Sequence, residues 1–148
     1  METKLRVTTY CSRGEKCISQ VREKLYEWRV DCSEHDSIIE FLIEERYIDE
    51  TRFARAYVND KYRFNGWGRK KISLMLSAKG IDKATISEAL LVIDDDLYLE
   101  NLTSIIEKKN RTLKCDSDYE CRSKLFNHAY SRGYESNLIV AVIDQCRG

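Results

Sequence analysis

The chain has 148 residues, 43% of them hydrophobic and 34% charged, and its 25 basic and 25 acidic side chains leave a formal net charge of zero. That length suits one ordinary domain or a few small modules with a continuous core, and the mixture excludes the disordered class, which joins low hydrophobicity to high net charge. No apolar run approaches the roughly 20 residues of a membrane span, and the opening METKLRVTTYCSRGEK lacks the apolar core of a signal peptide, so a soluble cytoplasmic protein is expected.

The six cysteines, with no export signal, are expected to be reduced thiols. There is no proline, and with six glycines few positions forbid helix; an all-α protein is predicted. Only residues 5–9 hint at an extended piece. The first amphipathic helix carries Ile18, Val21, Leu25 and Trp28 on one face. Ser33 can cap a second with Ile38, Phe41 and Leu42, and Asp49 a third with Phe53, Ala56, Tyr57 and Val58, where Ile48 and Phe53 have staple spacing. Ile72, Met75 and Leu76 mark a fourth helix, closed by Gly80. Ile81, Asp82 and Ile86 open a fifth with Ala89, Leu90 and Ile93, and Leu99, Leu102, Ile105 and Ile106 give a sixth. Ser117 and Glu120 form an S-x-x-E capping box before a seventh helix with Leu125, Ala129 and a closing Gly133; Ile139, Val142 and Ile143 give the eighth.

These helices repeat. Adding 53 to Ile72, Leu76, Gly80, Ile81, Ile86 and Leu90 gives Leu125, Ala129, Gly133, Tyr134, Ile139 and Ile143, while subtracting 51 from Ile72, Leu76 and Ile81 gives Val21, Leu25 and Val30. The reading is a short N-terminal arm over residues 1–10 and helical repeats over 11–48, 49–94 and 95–148, the first lacking most of its leading helix. Units this small cannot each bury a core, so they are expected to stack into an elongated, curved array, and a monomer is expected.

Charge is segregated along the chain. Residues 31–48 hold six acids against Arg46, whereas residues 49–80 hold eight bases (Arg52, Arg55, Lys61, Arg63, Arg69, Lys70, Lys71 and Lys79) against Asp49, Glu50 and Asp60. In KYRFNGWGRKK, Tyr62, Phe64 and Trp67 interleave with the cations, and Gly66 and Gly68 interrupt the helix. Cations neutralise phosphates and rings stack on bases, so the eight basic side chains and Trp67 are the candidate partner- or DNA-binding residues. The competing reading of Trp67 is a hinge filler between helices.

Tyr47, Ile48, Asp49, Arg52, Phe53 and Ala54, followed by Gly68, the basic Arg69, Lys70 and Lys71, Ile72, Leu76, Lys79, Gly80 and Ile81, resemble the signature of the RecX family of bacterial recombination regulators. YCSRGEKC over residues 10–17, with Val21, Lys24 and Leu25 after it, is similar to that family's first module. The resemblance implies three tandem three-helix repeats. It also implies a modulator lying in the groove of the RecA filament on single-stranded DNA, limiting filament growth, ATPase and coprotease activity, with the DNA itself a further possible contact. Carried over by position, Asp49, Phe53, Gly80 and Ile81 cap, pack and reverse the chain, whereas Arg52, Arg69, Lys70 and Lys71 are contact candidates. The zero net charge departs from a family whose members are often basic.

Three rivals are weaker. An enzyme would need a constellation around His35 or His128, and neither histidine has one; no phosphate-binding loop occurs, the clusters EFLIEE and IDDD read as helix faces and caps, and no cofactor is expected. Zinc on Cys11, Cys17, Cys115 and Cys121 would need unusually wide spacings. A helix-turn-helix regulator would read DNA with Arg69, Lys70, Ser73 and Lys79, a thin set for base edges.

Overall fold

The structure is a computed structural model describing residues 2–148, and the described residues form nine α-helices and no strand. The helices are α1 (Glu2–Ser12), α2 (Ile18–Glu27), α3 (Cys32–Glu44), α4 (Glu50–Phe64), α5 (Arg69–Ala78), α6 (Lys83–Leu90), α7 (Asp95–Thr112), α8 (Asp118–Ser131) and α9 (Ser136–Arg147). None of them is long and apolar enough to cross a membrane. Eight are the helices predicted from periodicity. The ninth, α1, replaces both the extended piece at residues 5–9 and the short arm; Met1 of that arm lies outside the described residues.

The physical reason for α1 is packing. Val7, Thr8 and Thr9 have poor helix propensity, but Val7 and Cys11 are buried in one cluster with Val21, Leu25, Ile38, Ile39, Leu42 and Ile48. The hydroxyls of Thr8 and Thr9 donate to the Leu5 carbonyl and that of Ser12 to the Thr9 carbonyl, so their polar groups are satisfied within the helix. Arg6 also lies over the Trp28 ring, 4.2 Å from its centroid. The first repeat therefore keeps a leading helix, contrary to expectation.

The chain forms two compact units, one comprising the residues up to Tyr57 with Leu76–Ala89, the other Val58–Met75 with Leu90–Gly148. Helices α4, α5 and α6 supply residues to both.

Repeat positions carry the cores. Val21 and Leu25, Ile72 and Leu76, and Leu125 and Ala129 are all fully buried. The turns after α5 and α8 place Gly80 at φ 84° and Gly133 at φ 96°, the left-handed backbone that glycine takes without a Cβ clash. The equivalent position after α2 is Arg29, at φ 59°.

Caps follow the sequence with two shifts. Asp49 accepts from Arg52 N (3.1 Å) and Asp82 from Thr85 N (2.8 Å) as predicted. Helix α3 is capped by Asp31, which accepts from the Ser33 amide at 2.9 Å, so Ser33 is inside the cap. At α8, Ser117 Oγ accepts from Glu120 N, but Glu120 Oε2 accepts from Asp116 N, one residue before the partner of a capping box.

Reduced thiols were expected throughout, and the fold brings one pair together: Cys115 and Cys121 lie side by side with Cα atoms 5.5 Å apart, within reach of a disulfide, while Cys11, Cys17, Cys32 and Cys146 are free. In the repeat register Cys17, Gly68 and Cys121 coincide, yet α2 and α5 begin one residue after that position and α8 three residues before it. The extra turn of α8 carries Cys121 back beside the preceding loop. Among the described residues no group of three or more His, Cys, Asp or Glu side chains could hold a metal ion.

Candidate functional site

The nine candidate residues divide between the units. In the first unit, Arg52 Nε donates to both carboxylate oxygens of Glu15 at 2.7 and 2.8 Å, and its terminal nitrogen donates to the Arg46 carbonyl. Arg55 pairs with Glu88. Lys79 lies 5.9 Å from the Tyr57 ring centroid and lines an open groove with Arg22, Glu23 and Glu50. These cations already have acidic or aromatic neighbours.

The second unit holds the other six. Trp67 is half-buried between two ammonium groups, Lys61 at 4.9 Å and Lys71 at 4.4 Å from its ring centroid. Cation–π pairs at such exposure contribute about 0.5–1 kcal/mol each, so the ring holds both lysines in place. Trp67 thus stands in the loop between α4 and α5 with two cations against its ring. Lys70 is exposed, 5.3 Å from the Tyr130 centroid, and Arg63 is exposed with its Nε donating to Asn59 at 2.8 Å. Arg63, Lys70 and Lys71 form no ion pair among the described residues.

Arg69 behaves differently. Its guanidinium donates to Glu135 (2.8 Å) and Asp95 (2.7 Å) and lies 4.1 Å from the Tyr98 centroid, while its backbone N–H donates to the Tyr98 hydroxyl. The Tyr98 hydroxyl in turn donates to Glu135. Burial would raise the Glu135 carboxyl, but these hydrogen bonds from Tyr98 and Arg69 hold it below the usual glutamate range. Burial and Glu135 push the Tyr98 phenol well up, and burial pushes that of Tyr134 up to about 12, so both stay neutral donors.

The corner between α4 and α5 is locked by close backbone approach. Gly68 N donates to the Arg132 carbonyl (2.7 Å), Lys70 N to the Gly133 carbonyl (3.0 Å), and the Tyr134 hydroxyl to the Gly66 carbonyl (2.7 Å). A Cβ on Gly68 would fall inside the Gly133 carbonyl. The lysines therefore project from a fixed frame, and that frame includes Arg69.

Sequence reasoning missed a second basic surface in this unit, lined by Arg63, Lys108, Lys109 and Arg132 with Phe64 at its side. Its signal is the run EKKNRTLK over residues 107–114, at the close of an amphipathic helix.

Residues 49–90 match the family model for the second three-helix domain of RecX, and residues 95–143 that for its third three-helix domain; together they cover more than half of the chain. The chain is 33% identical over 135 residues to Regulatory protein RecX of Clostridium botulinum (strain Alaska E43 / Type E3), spanning 90% of this chain and 63% of that protein. To the protein of the same name in Clostridium beijerinckii it is 32% identical over 144 residues, 96% of this chain and 65% of that one. It thus spans somewhat less than two-thirds of these curated relatives. The crystal structure of RecX from Lactobacillus salivarius matches with a TM-score of 0.85 at 25% identity, over 97% of this chain and 94% of that one. A further crystal structure, of a regulatory protein RecX, matches in fold with a TM-score of 0.89 at 21% identity, over 97% and 70% of the two chains.

Proposed function

The chain belongs to the RecX family, and from that membership we propose that it binds the filament formed by the RecA recombinase on single-stranded DNA and restrains its ATP hydrolysis, strand exchange and coprotease activity. In the cell this would make it a cytoplasmic modulator of homologous recombination, DNA repair and the SOS response. The observation that carries the reading is the match of residues 49–90 and 95–143 to successive RecX domains. The relatives are named regulatory proteins, and a regulator acts here through contact.

The chemistry of the basic face supports it. Lys70, Lys71 and Arg63 are cations without carboxylate partners, held on a rigid corner, the arrangement that a partner bearing phosphates or carboxylates stabilises. The helix-turn-helix alternative is weakened at one residue: Arg69, which should read a base edge, is engaged by Glu135 and Asp95.

The test is DNA-dependent ATP hydrolysis by the matching recombinase, titrated with this protein and with its Lys70→Glu/Lys71→Glu variant. Inhibition by the wild type and its loss in the folded variant are expected. An unchanged hydrolysis rate across a wide concentration range would end the proposal.

A further inference from the structure

A six-residue step between cysteines occurs twice in the chain, from Cys11 to Cys17 and from Cys115 to Cys121, and the fold treats the two pairs differently. Cys11 lies within α1 and Cys17 stands just before α2; both are buried and free, the Cys17 thiol against the Ser19 hydroxyl at 3.2 Å. Cys115 and Cys121 have their Cα atoms 5.5 Å apart, within the usual span of a disulfide. Spacing alone therefore does not make the pair; the path of the chain does.

That path is held by contacts that involve no sulfur. Residues 113–117 join α7 to α8. The Ser117 hydroxyl accepts from the Glu120 amide at 3.1 Å, Glu120 accepts in return from the Asp116 amide at 3.0 Å, and Lys124 Nζ donates to the Lys114 carbonyl at 3.0 Å. These bonds fold the loop back on the first two turns of α8 and leave Cys115 opposite Cys121 whether or not the sulfurs are joined. Cys121 is buried and Cys115 is half-buried, so a dissolved oxidant meets Cys115 first.

We propose that Cys115 and Cys121 are a reversible redox-modification site, a dithiol that a small-molecule disulfide converts to an intramolecular disulfide. The Cys115 thiolate attacks one sulfur of the small disulfide, forming a mixed disulfide and expelling one thiolate. The Cys121 thiolate then attacks the Cys115 sulfur and expels the second. The two expelled thiolates take up the protons that the cysteines lose, so one disulfide is reduced to two thiols as two thiols are oxidised to one disulfide. The pair is regulatory rather than architectural, because the loop is tied down without it and a disulfide in a reducing compartment is transient. What the bond changes is the loop. Lys114, next to Cys115, lines an open groove of about 570 Å³ with Lys109, Thr112 and Lys124, so oxidation fixes covalently a wall that hydrogen bonds otherwise hold.

The experiment equilibrates the whole protein, reduced and freed of reductant, with rising oxidised glutathione at fixed reduced glutathione, and traps remaining thiols in denaturant with a maleimide. Trypsin, cutting after Lys114 and Arg122, releases residues 115–122, CDSDYECR, with both cysteines on one peptide. That peptide should lose both labels and two hydrogens, with no glutathione adduct. This should happen at an oxidised glutathione concentration at least about tenfold below that which modifies the exposed Cys32, since closure between neighbours gains from effective concentration. Cys11 and Cys17 should keep their labels, and dithiothreitol should restore those of the pair in the folded protein. Cys121→Ser should divert Cys115 into a glutathione adduct, and Cys115→Ser should leave Cys121 labelled. Oxidation should also slow tryptic cleavage of the folded protein after Lys114 by about tenfold, as local opening of the loop is suppressed. A glutathione adduct on wild-type Cys115, titration of the pair together with Cys32, or a bond that dithiothreitol opens only after unfolding would overturn the site. Cleavage after Lys114 at an unchanged rate would overturn its effect on the loop.

Discussion

Arg69 donates to Glu135 and Asp95 while lying over Tyr98, so its charge serves the fold although its neighbours Lys70 and Lys71 point the same chemistry outward. Arg69→Ala should cost about 1–3 kcal/mol by stranding a half-buried carboxylate and a phenol that lose a shared partner. Lys70→Glu/Lys71→Glu should cost no more than about 1 kcal/mol, the size of the lost contact between Lys71 and Trp67. Thermal melts of the two variants separate a structural cation from a contact cation. Glu135 adds a pH signature. Its folded carboxyl lies below the ordinary range, so its contribution is present above that range and is lost as pH falls through the folded value. Glu135→Gln should therefore destabilise most at neutral pH, and its gap from wild type should narrow below about pH 4. A gap that does not change with pH would mean the carboxylate's charge is not its source.

At the scale of elements, the turn after each second helix is the repeated device, and the three copies fill it differently. Gly80 and Gly133 take positive φ freely, whereas Arg29 adopts φ 59° with a full side chain. Left-handed backbone costs a residue with a Cβ about 1–2 kcal/mol, partly offset by the chain entropy that glycine loses, so Arg29→Gly should stabilise the protein by about 0.5–1 kcal/mol. Gly133→Ala should be much worse than Gly80→Ala: the added Cβ at Gly133 meets Lys71 Cβ and N, whereas at Gly80 it meets open space. Denaturant midpoints of the three variants check the order. Sequence made most of this frame legible, because Asp49, Asp82, Ser117 and the apolar steps advertise helix starts and faces locally. Helix α1 was also within reach: Val7 and Cys11 stand 51 residues before the buried Val58 and Tyr62, the same offset that joins Val21 to Ile72. Its threonines masked the pattern, since propensity is a local quantity and burial against α2 and α3 is not. For the same reason the basic block was legible as charge but not as function. That Arg69 meets Glu135, 66 residues away, is a fact of tertiary structure.

At the scale of the whole molecule, the basic side chains belong to both units. Arg52 and Arg55 in one are paired with Glu15 and Glu88, and in the other Arg69 is paired with Glu135 and Asp95 while Lys70, Lys71, Arg63 and Arg132 form no ion pair among the described residues. On the proposed reading, each surface alone offers a modest contact. Joined in one chain, they gain from effective concentration: once one unit is seated on a polymeric partner, the next contact forms without a new loss of translational freedom. A filament presents its protomers and its strand repeatedly, whereas a free protomer or a short oligonucleotide presents one contact at a time. The assembled filament should therefore be bound more tightly than free recombinase, duplex or single-stranded DNA, and ATP hydrolysis should slow at fewer than one molecule of this protein per recombinase protomer. Salt should weaken that binding, but less than the roughly 10³ to 10⁵ loss between 50 and 200 mM expected when six to ten phosphates are neutralised, because part of the charge is already met within the protein. Inhibition measured across protein and salt concentrations decides it: a requirement for equimolar protein would mean that the surfaces do not act together, and a steeper salt dependence would mean that phosphate contacts dominate the complex.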